Sequence, residues 1–258
     1  MAKAVLVDLT RCIGCRGCQV ACKQWNERKG LKTSFHGDFT SPVKLNADTY
    51  TLIRFVEAEN KSGPVWSFVK EQCFHCQNPA CVSACPVGAL QKSAEGAVCY
   101  DFDKCVGCRY CMIACPFGIP KYEWDKAQNP WVQKCGFCAE RIAEGGLPAC
   151  VKTCPTSTML FDERDKVLAE AKRRMAASPG KYVNHIYGKE EAGGTSWMYI
   201  SAVPFEQLGF RMNVPCEELP QYTWDVLQHV PLKAAGIAAV LGGIAYLRNR
   251  GANEEKRS

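Results

Sequence analysis

The sequence lacks the short motifs with which enzymes bind nucleotides or activate a nucleophile. It contains no G-x-G-x-x-G fingerprint on a strand–helix turn, no phosphate-binding P-loop and no nucleophile elbow. Histidine is scarce, at four residues, and neither His185 nor His229 lies in a motif that would ligate haem. These absences exclude the common nucleotide-dependent and hydrolytic enzyme classes, and they leave no visible substrate site for an independent enzyme.

The N-terminus lacks the features of an export signal. It has neither the apolar stretch of a secretory signal peptide nor a twin-arginine motif. Its first residues instead have the pattern of a short strand that leads into the first cysteines. Taken alone, this favours a cytoplasmic location.

The chain also lacks a long uninterrupted apolar run. The run at 234–247 has only 14 residues, whereas crossing a bilayer unaided takes about 20. Taken as 223–248, with the Lys233 ammonium reaching the interface, the segment becomes long enough, and its small residues favour close helix packing in membranes. We therefore predict a transmembrane helix at 223–248 and a tail at 249–258. A buried core helix or an interfacial helix is the alternative.

Basic residues after this segment predict its orientation. Arg248, Arg250, Lys256 and Arg257 follow the apolar run at 234–247. The positive-inside rule then predicts a cytoplasmic C-terminus and a main domain on the periplasmic side of a bacterial inner membrane. This orientation disagrees with the missing signal peptide. The two agree if the folded protein is exported together with a partner that carries the signal.

Cysteine is the residue that the sequence has in excess, at 18 residues. A chain of 258 residues is neither small enough nor dense enough in cysteine to be a disulfide scaffold. Cys99 and Cys216 stand alone, and we interpret both as ordinary cysteines. The other sixteen form four groups: Cys12, Cys15, Cys18 and Cys22; Cys73, Cys76, Cys81 and Cys85; Cys105, Cys108, Cys111 and Cys115; and Cys135, Cys138, Cys150 and Cys154.

The third group, at 105–115, has the spacing C-x2-C-x2-C-x3-C and is followed by Pro116. This run binds cubane [4Fe–4S] clusters in bacterial-type ferredoxins, and its fourth cysteine ligates a neighbouring cluster. Gly107 lets the backbone pass close to the cluster, since glycine adopts angles that other residues avoid. A zinc site would not need four thiolates in so short a run. The spacing therefore predicts [4Fe–4S] clusters that occur in pairs.

The four groups contain an internal duplication. The first group resembles the third in spacing, and the second resembles the fourth in the related segments at 79–86 and 148–155. Duplication of a two-cluster module predicts four clusters. Each oxidised cluster with its thiolates carries a charge of about −2, so four clusters would offset the formal net charge of +6. Much of the excess of Lys and Arg then balances the negative charge of the clusters and does not indicate a nucleic-acid-binding surface.

The order of the groups, the eleven residues between Cys138 and Cys150, the 148–155 segment and the single C-terminal span point to a known family. In these features the chain resembles the iron–sulfur β subunit of membrane-bound respiratory formate dehydrogenases. The wider family includes electron-transfer subunits of hydrogenases and of other molybdopterin oxidoreductases. The resemblance implies an α+β fold of duplicated two-[4Fe–4S] ferredoxin-like modules over 1–222, with inserted short β-hairpins, plus one C-terminal transmembrane helix. Strand patterns on both sides of Ser62-Gly63-Pro64 predict one such hairpin.

The resemblance also implies which cysteines share a cluster. The family pairs the first group with the fourth and the second with the third, and each cluster takes three cysteines from one group and one from its partner. All sixteen positions are cysteine, so four [4Fe–4S] clusters are expected. The expected ligand sets are Cys12, Cys15, Cys18 with Cys154; Cys135, Cys138, Cys150 with Cys22; Cys73, Cys76, Cys81 with Cys115; and Cys105, Cys108, Cys111 with Cys85.

The same resemblance implies a non-catalytic role in anaerobic respiration. The subunit would relay electrons from a molybdenum or tungsten formate dehydrogenase subunit, which carries the export signal, to a membrane cytochrome b that reduces quinone. The module of the first and fourth groups would face the catalytic subunit, and the other module would face the membrane. The alternatives are the equivalent subunit of a membrane-bound hydrogenase or other molybdopterin oxidoreductase, a free polyferredoxin carrier, and an enzyme in its own right.

Other residues lie near the ligands in sequence. His75 stands between two of them, and we interpret it as a residue close to a cluster or at the surface. The pattern at 162–177 predicts an amphipathic helix capped by Asp162. The tryptophans are interpreted as core or interface packing: Trp66, Trp124, Trp131 and Trp197. Five basic residues either tune cluster potentials or are solvated surface charges: Arg16, Arg109, Lys134, Arg141 and Lys152.

Overall fold

The computed structural model describes residues 2–60, 63–128 and 130–255. It divides into two units, Met1–Leu219 and Pro220–Ser258. The strands, all in the first unit, are β1 (Lys3–Asp8), β2 (Leu52–Asn60), β3 (Gly63–Glu71), β4 (Leu90–Lys92), β5 (Val98–Tyr100), β6 (Lys121–Tyr122), β7 (Val132–Gln133), β8 (Met159–Glu163) and β9 (Trp197–Ile200). The helices are α1 (Gly17–Trp25), α2 (Ala80–Ser83), α3 (Tyr110–Ala114), α4 (Ala139–Ala143), α5 (Ala149–Lys152), α6 (Arg164–Ala177), α7 (Gln221–Leu227) and α8 (Val230–Glu255).

A three-stranded sheet joins the two ends of the cysteine-bearing part of the chain. Its order is β8-β1-β9, with β1 antiparallel to β8 and parallel to β9. β1 is the central strand, and almost all of its residues are buried. An apolar run of this length is typical of a strand that is covered on both faces.

The two faces of this sheet pack against different cores, because successive side chains of a strand point to opposite faces. Ala4 and Leu6 belong to a small apolar cluster with Val167 and Ala171 of α6. Val5 and Val7 belong to the largest apolar cluster, which also contains five of the cysteines predicted as ligands: Cys18, Cys22, Cys73, Cys135 and Cys150. The sheet therefore separates α6 from the cysteine-rich core.

β2 and β3 pair as an antiparallel hairpin from Leu52 opposite Glu71 to Asn60 opposite Gly63. The predicted turn includes Ser62, which lies outside the described residues. β4 pairs with β5 and β6 with β7, so short two-stranded elements accompany the cysteine groups. The β2–β3 hairpin is buried at the end away from its turn, and Lys70 lies at this buried end, near the cysteine-rich core.

Each cysteine group has a short helix, and these helices pack in pairs. α1 packs against α5, and α2 packs against α3. This arrangement joins the first group to the fourth and the second to the third. α1 runs on to Trp25 because Lys23 stands where the other three groups have a proline after the last cysteine.

The helix predicted at 162–177 exists but begins later. α6 spans Arg164–Ala177, and Asp162 lies in β8, where its backbone pairs with Ala4 of β1. The prediction that Asp162 caps the helix was therefore wrong. Glu163 occupies the N-cap position and makes no side-chain cap hydrogen bond. Strand pairing outweighs the preference of an aspartate for a helix start.

The second unit consists of α7 and α8. Gln221–Tyr246 is long and apolar enough to cross a membrane by length and composition, and none of its apolar window is buried. Its larger side chains are exposed on every side, including Ile237, Val240, Leu241 and Ile244. The segment is thus a candidate membrane span.

Candidate iron–sulfur sites

The first cavity, site A, is lined by Cys12, Cys15, Cys18 and Cys154. Three of these cysteines come from the first group and one from the fourth. Arg16, Lys70, Thr156 and Thr158 complete its polar lining. Hydrogen bonds from these two threonines help to lower the pKa of Cys154, although burial opposes them. The threonines therefore favour the thiolate, which is the ligand form.

The second cavity, site B, is lined by Cys135, Cys138 and Cys150 of the fourth group and by Cys22 of the first. Burial raises the pKa of Cys22 to about 11, and the nearby Cys150 thiol adds to the rise. Sites A and B thus exchange one cysteine each.

The remaining cysteines form two further sets, which we call site C and site D. Burial raises the pKa of Cys76 well above its ordinary value, and Cys73, Cys115 and Cys81 raise it further because like charges repel. These four residues define site C. Burial raises the pKa of Cys111 to about 11, with further contributions from Cys105, Cys108 and Cys85. These define site D, so the second and third groups also exchange one cysteine each.

The loop between the first two cysteines of each group bends in the same way. The residue before the second cysteine has a left-handed backbone in every group: Gly14 (φ 68°), His75 (φ 51°), Gly107 (φ 69°) and Phe137 (φ 61°). Glycine adopts this conformation without strain, whereas the two other residue types do so at a cost of about 1–2 kcal/mol. The same turn is therefore kept where the sequence has no glycine.

Backbone N–H groups point at the sulfur atoms. Gly107 N donates to Cys105 Sγ at 3.4 Å, Phe137 N to Cys135 Sγ at 3.3 Å and Ala89 N to Cys85 Sγ at 3.2 Å. Such bonds stabilise negative charge on sulfur. Each site thus offers four thiols, and the turns supply N–H donors. The linings of sites A and B contain no carboxylate among the described residues.

The spacing of these thiols does not suit a single metal ion. Among the described residues, no three His, Cys, Asp or Glu side chains converge closely enough to hold one. Zinc binds sulfur at about 2.3 Å, which would bring the sulfur atoms to within about 4 Å of each other. Thiol-only ligation with N–H donors to sulfur fits an iron–sulfur cluster.

Sites A, B and C are neighbours in that order. Burial raises the pKa of Cys18 in site A to about 12, and Cys150 of site B contributes to the rise. Burial also raises the pKa of Cys135 in site B well above its ordinary value, and Cys73 of site C contributes. Site B is therefore a neighbour of both site A and site C.

Site D continues the row at its far end. Burial raises the pKa of Cys81 in site C to about 12, and Cys111 of site D adds to it. The two ends of the row reach the surface, since Cys15 of site A and Cys108 of site D are exposed. The order of the sites is thus A, B, C, D.

Among the basic residues noted in the sequence, Lys134 differs from the others. It is 7% exposed, and its Nζ donates to the backbone oxygens of Val98 and Cys135. Arg16, Arg109 and Arg141 instead stack on aromatic rings, and Lys152 is exposed. Lys70, which sequence reasoning missed, is 3% exposed and lines site A. A lysine near the end of an alternating strand gives no signal of this placement.

His75 is buried, not at the surface. Its Nδ1 accepts a hydrogen bond from Val98 N at 2.8 Å, and its ring stacks on Phe137. Burial lowers its pKa well below the ordinary value, and the nearby lysines lower it further. His75 is therefore a neutral side chain between the loops of sites B and C.

Cys99 and Cys216 line neither of the two cavities. Cys99 lies in β5 and is partly buried, and Cys216 is exposed. Their interpretation as ordinary cysteines stays a prediction.

These four-thiol sites on a duplicated α+β scaffold define an iron–sulfur protein of the ferredoxin type. Two family models, both described as 4Fe-4S dicluster domains, match residues 11–89 and 64–164. The prediction of 4Fe–4S clusters is thereby confirmed.

Whole-chain comparisons identify relatives of the same kind. A protein of Nitratidesulfovibrio vulgaris is 43% identical over 94% of this chain, which spans 65% of that relative's length. The nitrate-inducible formate dehydrogenase iron-sulfur subunit of Escherichia coli K12 is 39% identical, with 94% of this chain and 83% of the relative covered. The hydrogenase-2 operon protein HybA of Escherichia coli O157:H7 is 38% identical, with 79% and 71% covered.

The chain therefore belongs to the 4Fe–4S dicluster family that contains the formate dehydrogenase iron–sulfur subunits and HybA. The resemblance inferred from the cysteine groups is confirmed.

Proposed function

We propose that this chain is the non-catalytic electron-transfer subunit of a membrane-associated oxidoreductase complex, holding four [4Fe–4S] clusters in a row. When bound, the clusters supply one-electron redox steps at potentials that the surrounding protein tunes. The proposal depends on one observation: the chain has four neighbouring sites, A to D, each with four thiols. The outer two reach the surface at Cys15 and Cys108.

The proposed ligand sets are those of sites A to D. The linings of the first two cavities support the exchange of Cys154 and Cys22. The closeness of Cys115 to Cys76 and of Cys85 to Cys111, indicated by their effects on the pKa of those thiols, supports the exchange of Cys115 and Cys85. In each site the chain supplies thiolates and N–H donors. Three cysteines of site B and two of site C are buried: Cys22, Cys135, Cys150, Cys73 and Cys81.

The proposed partner is a molybdenum or tungsten formate dehydrogenase subunit, because several relatives are named as formate dehydrogenase iron–sulfur subunits. A hydrogenase is the second candidate, because HybA is also a relative. A cytochrome b that reduces quinone would accept the electrons. The domain boundaries proposed are a cluster domain at 1–222, a membrane helix at 223–248 and a tail at 249–258.

The proposed location is the inner membrane of a bacterium, with the cluster domain on the periplasmic side and the C-terminus in the cytoplasm. The candidate span at Gln221–Tyr246 supports membrane attachment. We propose that site A faces the catalytic subunit and site D the membrane partner, so that the row joins two different subunits.

A complex purified through a tag on this chain tests the proposal. Its large subunit is identified by mass spectrometry, and cluster reduction by formate and by hydrogen is followed by EPR. Reduction by only one of the two substrates identifies the partner enzyme. A purified complex with no large subunit, and clusters that neither substrate reduces, would refute the proposal.

Two variants at the ends of the row test its direction. Cys15→Ser at site A should abolish reduction of the remaining clusters by substrate. Cys108→Ser at site D should leave that reduction intact and abolish quinone reduction. Cys216→Ser, an exposed cysteine outside the four sites, is the control and should change neither. The reverse pattern would show that the row runs in the opposite direction.

A further inference from the structure

Trp197 in β9 lies in the wall of site B. Its side chain is 1% exposed and lines the cavity that contains Cys22, Cys135, Cys138 and Cys150. The strand around it is buried on both faces, so the ring has little freedom to move. The sequence pattern suggests only core packing, but the position of the residue places an indole beside the thiols.

The indole N–H of Trp197 is buried and has no hydrogen-bond acceptor among the described residues. Buried donors without a partner are rare in native proteins, and each one needs an explanation. The residues around this donor form a cavity lined with four thiols. A sulfur atom of a bound cluster would be an acceptor at this place, and hydrogen bonds to sulfur are one of the ways in which proteins set cluster potentials.

Lys70 lies over the ring of the same indole. Its Nζ is 4.2 Å from the centroid of the Trp197 ring, and its side chain lines site A. The pair therefore stands between two neighbouring sites, with the indole at site B and the ammonium at site A.

Hydrogen bonds hold the Lys70 ammonium in this position. Lys70 Nζ donates to Gln72 Oε1 at 2.8 Å, and Gln72 Nε2 donates to Tyr199 Oη at 2.5 Å. Tyr199 Oη in turn donates to the backbone oxygen of Lys70 at 3.0 Å. In the described part of the chain, no carboxylate forms an ion pair with Lys70. A buried lysine is seldom left without a counter-charge.

We propose that Trp197 and Lys70 together raise the reduction potentials of the clusters in sites A and B. The Trp197 N–H donates to a sulfur atom of the cluster in site B, and the Lys70 ammonium is the shared counter-charge of both clusters. Each contact is stronger with the reduced cluster, which carries one more negative charge. This inference rests on the proposed function, because it requires that both sites hold clusters.

The test that needs no substitution uses the full-length protein with its clusters bound. The side chain of tryptophan is labelled with ¹⁵N, and the reduced cluster of site B is examined by pulsed EPR. Its signal is assigned with Cys138→Ser, and that of site A with Cys15→Ser. We expect a nitrogen coupling that changes with the isotope and an exchangeable proton coupling. Absence of both from the site B signal would refute the hydrogen bond.

Potentiometric titration of variants tests the effect on potential. Trp197→Phe should lower the potential of site B alone, and Lys70→Met should lower the potentials of both A and B. For Lys70→Met we expect at least a tenfold change in the reduction equilibrium, which is about 59 mV for a one-electron couple. Trp131→Phe and Lys172→Met are the controls, since neither residue lines site A or site B and Lys172 is an exposed residue of α6. Both controls should leave all potentials unchanged.

The outcomes separate this inference from the proposed function. Iron analysis and EPR of the unsubstituted chain establish whether the clusters are present. If they are present and the potentials of Trp197→Phe and Lys70→Met equal those of the controls, the inference is wrong while the proposed function stands. If the unsubstituted chain holds no clusters in sites A and B, the proposed function itself fails.

Discussion

Cys154 lies beside Cys12 in one cavity, although the two residues belong to the last and the first of the four cysteine groups. The sheet explains this proximity. Cys12 follows β1 after one short turn, and Cys154 shortly precedes β8, which is antiparallel to β1 with Val7 opposite Met159. The strand pairing therefore completes site A.

The first prediction concerns this exchange of ligands. Cys154→Ser should alter or abolish the same EPR signal as Cys15→Ser, because both residues line site A. It should leave the signal that Cys138→Ser removes, although Cys154 and Cys138 belong to the same group. The three substituted proteins and the unsubstituted chain are compared by EPR after reduction and by iron content.

Cys216→Ser is the control for these substitutions, because Cys216 is an exposed thiol outside the groups. If Cys154→Ser instead removes the signal assigned by Cys138→Ser, the fourth group closes on its own cluster and the exchange does not occur.

The type of site could be predicted from the sequence because ligand spacing within a group is a local property. The spacing from Cys105 to Cys115 alone indicates a [4Fe–4S] cluster. The duplication, read from the related segments at 79–86 and 148–155, indicates two modules. These conclusions require no knowledge of contacts between distant parts of the chain.

The surroundings of the sites could not be predicted in the same way, because they depend on contacts distant in sequence. Lys70 comes from a hairpin and Trp197 from the edge of the sheet, yet both lie between sites A and B. His75 and Phe137 take the left-handed conformation of Gly14, which their residue types do not suggest. The order of the sites likewise depends on packing between modules.

The second prediction concerns the turn at Gly14. This residue has φ +68°, and a Cβ atom there would lie 2.8 Å from Phe68 Cδ1. Gly14→Ala should destabilise the loop of site A by about 1–2 kcal/mol, a factor of about 5–30 in the population of the open loop. We expect its cluster to be lost faster in air, measured as the decay of the site A EPR signal.

Gly17→Ala is the matched control. Gly17 is the first residue of α1, three positions after Gly14. Its Cβ would be 3.7 Å from Cys15 Sγ, the nearest contact, and its φ is not in the left-handed region. In Gly17→Ala the cluster of site A should decay at the same rate as in the unsubstituted protein. Equal decay in both variants would show that the backbone conformation at Gly14 does not protect the cluster.

The third prediction concerns removal of iron. Five cysteines lie among the side chains of the largest apolar core, whereas the smaller apolar core between β1 and α6 contains no cysteine. Burial raises the pKa of Cys22 to about 11 and that of Cys81 to about 12, so without iron these thiols are protonated near neutral pH. Anaerobic chelation should therefore leave cavities in the core, and amide hydrogen exchange should rise around sites A to D.

The backbone amides of α6 near Val167 and Ala171 serve as the internal control in that experiment, because the side chains of these two residues belong to the smaller apolar core, which contains no cysteine. They should keep most of their protection. A uniform loss of protection would contradict this prediction and indicate that the whole domain unfolds with its clusters.

The raised thiol pKa values also require that cluster assembly releases protons, so reconstitution should be more complete at higher pH.

The fourth prediction concerns the C-terminal unit. A chain that ends at Leu219 should keep all its iron and remain soluble without detergent, because residues 1–219 form a compact unit of their own. The full chain should partition into membranes through Gln221–Tyr246. Ala239→Asp, in the middle of that segment, should reduce this partitioning, since a charged side chain at the bilayer centre costs about 3 kcal/mol. Sedimentation of membranes and immunoblotting measure the distribution.

The same change at Ala176, an exposed residue of α6, is the matched control and should leave the distribution unchanged. Partner subunits could also hold the chain at the membrane, so the experiment is repeated with this subunit expressed alone. If the full chain expressed alone stays in the soluble fraction, the segment does not span the bilayer. Membrane attachment would then have to come from another subunit, because the segment itself would be an exposed helix outside the membrane.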